Sequence, residues 1–128
     1  QDDKIFYEKY NDKELSVINN KISHNGKHKL FSENYIYSGQ PVIMSEYGGI
    51  ALNSDKGWGY GSQVKDENEF ITRYEKLTSA IKNTKYISGY CYTQLSDVQQ
   101  EINGLVNENR HDKFSYEIID KIRKINKE

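Results

Sequence analysis

The chain has 128 residues, of which 35% are hydrophobic, and its mean hydropathy is -0.91. These values fit one soluble domain with a modest core and no membrane-spanning segment. The 18 basic and 19 acidic residues leave a net charge of -1, so nothing attracts a polyanion over long range, and we expect no nucleic-acid partner.

The chain starts at Gln1, without a methionine or a signal-like segment, which is typical of a piece cut from a larger protein. The single cysteine, Cys91, lies in an apolar run, so we expect a buried thiol rather than a nucleophile. Neither feature predicts a cellular compartment. The 11 tyrosines suit sugar binding as well as ordinary packing.

Two short helices are predicted before the first strand. Asp2 and Asp3 can cap the first one, which would bury Ile5, Phe6 and Tyr10. The second covers residues 13–22, because apolar residues recur there at spacings of three and four. These residues are Leu15, Ile18 and Ile22.

His24 and His28 have the spacing of two metal ligands on one helix face. The Asn25-Gly26 pair between them opposes a helix, and no third ligand is near. The segment is therefore predicted to be a solvated loop, and no metal or other cofactor is expected.

A strand is predicted near residues 40–46, where Pro-Val-Ile-Met-Ser-Glu leads into Tyr-Gly-Gly. Its apolar run indicates a strand that is buried on both faces and ends at Glu46. In a (β/α)8 barrel the chemistry takes place at the carboxyl ends of the strands. Glu46 is therefore the candidate catalytic residue.

The loop that follows carries the only tryptophan, Trp58, in the sequence Gly-Trp-Gly-Tyr-Gly. Glycines on both sides allow tight bends and leave the indole as the main contact group. An indole beside a catalytic strand suits stacking against the apolar face of a sugar. A plain loop anchor is an equally good interpretation.

A helix is predicted near residues 66–83, capped by Asp66, and a second strand near residues 86–94. A strand, a helix and a strand in this order form a βαβ unit with parallel neighbouring strands. The ends of the two strands, at Glu46 and Gln94, then share one rim. A polar loop follows, and a last helix is predicted near residues 115–127.

Three blocks of this sequence, in order, resemble the C-terminal part of the catalytic barrel of family-two glycoside hydrolases, which include β-galactosidases, β-glucuronidases and β-mannosidases. The blocks are residues 39–49, Gly-Gln-Pro-Val-Ile-Met-Ser-Glu-Tyr-Gly-Gly; residues 57–61, Gly-Trp-Gly-Tyr-Gly; and residues 89–105, Gly-Tyr-Cys-Tyr-Thr-Gln-Leu-Ser-Asp-Val-Gln-Gln-Glu-Ile-Asn-Gly-Leu. The resemblance covers roughly residues 37–125.

The resemblance implies an α/β fold, with residues 1–128 forming the C-terminal portion of a TIM barrel that holds its seventh and eighth strands. Glu46 then matches the catalytic nucleophile, and Tyr47, Trp58, Tyr92 and Gln94 are the expected sugar contacts. The family's acid/base glutamate follows an asparagine on the fourth strand, upstream of this chain. The fragment alone is therefore expected to be inactive, because a retaining glycosidase needs two carboxyls about 5–5.5 Å apart.

Two other classes remain open: a carbohydrate-binding module that uses the same aromatic rim, and a small α/β interaction domain in which Glu46 is structural. A two-stranded parallel sheet has open edges that invite another chain. We therefore expect a homo-oligomer or swapped dimer of the isolated fragment, with carbohydrate as the other partner.

Overall fold

Two parallel strands and three helices make up the regular structure of residues 3–23 and 26–127, the part of the chain that the computed structural model describes. The helices are α1 (Asp3–Tyr10), α2 (Glu67–Lys82) and α3 (Tyr116–Lys127), and the strands are β1 (Val42–Gly48) and β2 (Ile87–Thr93). Helix α2 lies at the centre of this small α/β domain, since it packs against both strands and against α1 and α3.

Helix α2 begins as its sequence predicts. Asp66 adopts an extended conformation, and its side chain accepts a hydrogen bond from the backbone N–H of Glu69 at 2.9 Å. The Glu69 carboxylate accepts in turn from the N–H of Lys65, the residue before the cap, at 2.9 Å. The predicted helix over residues 66–83 is confirmed.

Strands β1 and β2 pair in parallel, with α2 as the crossover, as predicted. The register shifts by one residue between Val42 and Ile43, and it shifts back between Met44 and Tyr47. In the second irregularity three residue steps along β1 match two along β2, as in a β-bulge. This bulge contains Glu46.

The core lies between the sheet and the helices and is rich in tyrosine. The Tyr92 ring contacts those of Tyr47 and Tyr74, with centroid separations of 5.6 and 5.1 Å. Tyr47 also shares a hydrogen bond of 2.9 Å with the hydroxyl of Thr78, which is buried on α2. Burial of aromatic rings with satisfied hydroxyls stabilises the packing of the sheet against α2.

The expectation that β1 is buried on both faces is wrong. Ile43 is 63% exposed, and Glu46 is exposed as well, because the described helices cover only one face of the sheet. The strand also continues past Glu46 to Gly48. Cys91, expected to be buried, is exposed on β2 for the same reason.

The second predicted helix, over residues 13–22, is also wrong. Leu15 and Asn20 have φ angles of 49° and 61°, which end any helical run. The Asp12 carboxylate accepts from the N–H of Ser16 at 2.8 Å and stabilises a local turn instead. Of the predicted apolar residues, only Ile18 is buried.

The last helix, predicted near residues 115–127, is confirmed as α3 and buries Ile118 and Ile122. The first helix, α1, begins at Asp3, while Asp2 lies outside the described residues, as does His24 of the histidine pair. No helix within residues 3–23 and 26–127 is long and apolar enough to cross a membrane.

Candidate functional site

The Glu46 side chain projects from the uncovered face of the sheet near the carboxyl end of β1. Met44 packs against the core and Tyr47 is buried, whereas Ser45 and Glu46 between them are both exposed. A regular strand would alternate faces at every residue. The bulge therefore lets two consecutive residues face solvent, and it sets the direction of the Glu46 carboxylate.

The hydroxyl of Tyr60 donates a hydrogen bond of 3.0 Å to Oε1 of Glu46. This bond raises the pKa of the Tyr60 phenol, and the negative charges of Glu46 and Glu101 add to the effect. Tyr60 is held in place by its own backbone N–H, which donates to the carbonyl of Gly49 at 2.6 Å. Tyr60 was not among the predicted site residues, although it lies in the same glycine-rich block as Trp58.

Trp58 stacks on Tyr60, with ring centroids 6.3 Å apart, and remains 47% exposed. Its backbone is fixed to the polar loop after β2: its N–H donates to Gln100 at 2.8 Å, and its carbonyl accepts from Ile102 at 3.0 Å. Trp58 thus combines an anchored backbone, as a loop anchor would, with a free ring face, as sugar stacking would need.

The glycines around Trp58 are required by close packing rather than by tight bends. A Cβ atom at Gly57 would lie 2.4 Å from the carbonyl of Gln100, and one at Gly59 would lie 2.5 Å from that of Gly49. Both contacts are with backbone, which cannot move aside easily. Gly49 itself has a φ of +62°, and a Cβ there would meet the Tyr60 ring at 2.4 Å.

Gln94 follows β2 and connects two side chains of the next loop. Its amide Nε2 donates to Oδ1 of Asn103 at 2.8 Å and to a carboxylate oxygen of Glu101 at 3.3 Å. Asn103 is fully buried, and its Nδ2 has no partner among the described residues. Since Trp58 pairs with the same loop at Glu101, these groups lie at one rim with Tyr60.

A largely buried ion pair supports this rim. Nζ of Lys113 lies 2.7 Å from Oδ1 of Asp97, and the two side chains are only 14% and 13% exposed. The same ammonium donates to the carbonyl of Ile102 at 2.8 Å, and the same carboxylate oxygen accepts from the N–H of Gly104 at 2.8 Å. The pair therefore holds the loop that carries Glu101.

Tyr47 and Tyr92, expected as sugar contacts, lie instead on the helix side of the sheet. Tyr47 is 6% exposed, and the Tyr92 hydroxyl bonds to the N–H of Ile50 and the carbonyl of Asn103. Burial raises the pKa of both phenols. The prediction placed them at the rim because of their position along the strands, without regard to which face each side chain takes.

The structure therefore brings Glu46, Trp58 and Gln94 together with Tyr60 and Glu101. Among residues 3–23 and 26–127, no group of three or more histidine, cysteine, aspartate or glutamate side chains is arranged to hold a metal. What the arrangement offers is an exposed carboxylate held by a phenol, an aromatic face, and a second carboxylate held by an amide.

No family model matches the chain, and no curated protein matches it. Among solved structures, the chain is similar to Faecalibacterium prausnitzii beta-glucuronidase, with a TM-score of 0.48 and 16% sequence identity. The similarity covers 69% of this chain and 16% of that one, so the chain spans only a small part of its length. The likeness is distant.

Proposed function

We propose that this chain is the C-terminal portion of the (β/α)8 barrel of a retaining β-glycoside hydrolase, with β1 and β2 as its last two strands and Glu46 as its nucleophile. The observation that carries the proposal is the exposed Glu46 carboxylate at the carboxyl end of a parallel strand, within reach of a phenol donor. The three sequence blocks that resemble family-two glycoside hydrolases support it independently.

In this reaction Glu46 attacks the anomeric carbon of the sugar and forms a glycosyl ester as the bond to the leaving oxygen breaks, and a separate acid/base carboxyl gives that oxygen its proton. A water molecule then attacks the same carbon as it gives its proton to the acid/base carboxylate, and the Glu46 carboxylate leaves. Tyr60 donates to Oε1 of Glu46 and so orients the carboxylate with Oε2 available for the attack. We assign Tyr60 the role of a positioning residue.

The remaining rim groups suit a sugar substrate. The exposed face of Trp58 can stack on the C–H face of a pyranose ring, and the carbonyl oxygen of Gln94 can accept from a hydroxyl. The acid/base carboxyl is proposed to lie upstream of these residues. The 128-residue chain is therefore expected to hydrolyse no glycoside by itself.

The second candidate is a non-catalytic carbohydrate-binding domain. The exposed indole of Trp58 favours it, because ring stacking alone is enough to bind a sugar. In that case Glu46 would only accept hydrogen bonds from sugar hydroxyls. The two candidates differ in whether a covalent intermediate forms on Glu46.

The test uses the complete reading frame that contains these residues. The purified protein is assayed with a panel of 4-nitrophenyl β-glycosides and treated with matching 2-deoxy-2-fluoro glycosides before peptide mass spectrometry. We expect Glu46→Gln to reduce kcat at least a thousandfold, which corresponds to about 4 kcal/mol of barrier. Glu75→Gln, on the exposed side of α2, serves as the matched control and should leave kcat unchanged.

Several results would contradict the proposal. A Glu46→Gln rate within tenfold of the parent rate, or a fluoro-sugar label on another residue, would remove Glu46 as the nucleophile. Sugar binding without any hydrolysis would favour the binding domain. Hydrolysis by the isolated chain would mean that a second carboxylate within it, Asp97 or Glu101, acts as the acid.

A further inference from the structure

Three acceptor oxygens at the rim remain available to a ligand. One oxygen of Glu46 is bound by Tyr60 and one of Glu101 by Gln94, so each carboxylate keeps its other oxygen. Gln94 uses both hydrogens of its Nε2, towards Glu101 and Asn103, which leaves its carbonyl oxygen. These three oxygens can each accept a hydrogen bond from a ligand that supplies donors.

The charges of the two carboxylates are also not neutralised locally. Neutral groups, a phenol and an amide, hold Glu46 and Glu101, and neither residue belongs to an ion pair found in the described part of the chain. Lys113, on the same loop as Glu101, is bound to Asp97. The raised pKa of Tyr60 is consistent with this, since both carboxylates contribute to it.

From this inventory of donors and charges we propose that the sugar held beside Glu46 is a neutral, hydroxyl-rich hexose, and that Glu101 selects it against a uronic acid. The inference rests on the proposed function and adds its substrate class. Sugar hydroxyls donate to carboxylates in charge-assisted hydrogen bonds. A uronate carries a carboxylate in place of the hydroxymethyl group, so it loses a donor and gains an anion that can only accept. This anion would be repelled by the negative charge of Glu101 at close range.

The experiment compares two pairs of substrates with the complete protein. Each pair differs only at C6: 4-nitrophenyl β-glucoside against the β-glucuronide, and β-galactoside against the β-galacturonide. We expect kcat/KM for the better neutral substrate to exceed that of its uronide at least tenfold. Glu101→Gln, which keeps the shape and removes the charge, should raise the uronide-to-neutral ratio several-fold and make it less dependent on salt.

Glu101→Asp is the matched control, since it keeps the charge and should keep the preference for the neutral sugar. A uronide hydrolysed as fast as its neutral partner, or faster, would overturn the inference while leaving Glu46 as the nucleophile. An unchanged ratio in Glu101→Gln would remove Glu101 as the selecting residue. Retained activity in Glu46→Gln, or no hydrolysis of any glycoside in the wider panel, would instead overturn the proposed function and this inference with it.

Discussion

Removing the carboxylate of Asp97 should destabilise the chain by about 3 kcal/mol, because a largely buried ammonium would remain without its counter-ion. Asp97→Ala deletes the 2.7 Å contact with Lys113 and the acceptor for the N–H of Gly104. The ammonium would keep only the carbonyl of Ile102. Breaking such a buried pair costs about 3–5 kcal/mol, and the partial exposure of both side chains, 13% and 14%, favours the lower end.

Chemical denaturation, monitored by the fluorescence of Trp58, measures this effect directly, because the backbone of Trp58 is hydrogen-bonded to the loop that the ion pair holds. Replacing both charges, in Asp97→Leu with Lys113→Met, should recover most of the lost stability. Glu117→Ala removes the exposed pair with Lys121 and should leave the midpoint unchanged. A loss below about 1 kcal/mol in Asp97→Ala would refute the assigned role of the pair.

Three further outcomes are expected. Gly59→Ala should clearly lower the denaturation midpoint, because its Cβ would lie 2.5 Å from a backbone carbonyl oxygen. Gly89→Ala is the control and should leave the midpoint unchanged, because its nearest contact would be at 3.9 Å; equal midpoints in the two variants would contradict this reasoning. Burial raises the folded-state pKa of Tyr47 and Tyr92, so their contribution to stability is present below about pH 10 and is lost as the pH rises above it. Denaturation midpoints at pH 8 to 11 would show that fall, and Tyr47→Phe should make it smaller. The isolated chain should self-associate through the uncovered sheet face, where Ile43 is exposed. Light scattering should give the monomer mass of 15.0 kDa only after Ile43→Lys, and an unsubstituted 128-residue chain that is already monomeric would rule this out.

The sequence was sufficient for the elements whose signals are local. The Asp66 cap and the apolar stripe of α2 specify that helix, and the short aromatic run from Ile87 specifies β2. The parallel pairing followed from the order of elements alone. Residues 13–22 misled the prediction because their apolar spacing matches a helix, while Asp12 and the positive φ of Leu15 form a turn.

The candidate site was predictable only in part. Glu46 was identified from its place at the end of an apolar strand, but the bulge that turns its side chain outwards has no signature in the residues themselves. Tyr60 was missed because its partner is distant in sequence, and Tyr47 was misplaced because which face a side chain takes depends on that bulge. The exposure of Cys91 depends on what covers the sheet, which periodicity cannot report.

The parallel pairing of β1 and β2 also restricts the order in which the chain can fold. Val42 meets Ile87 only after the whole crossover has been brought back on itself, and closing a loop of that length costs on the order of 3 kcal/mol in chain entropy. The contacts within α2 are local and can form beforehand. We therefore expect Asp66→Ala mainly to slow folding and Tyr92→Phe mainly to speed unfolding in stopped-flow measurements, and the reverse pattern would mean that strand pairing comes first.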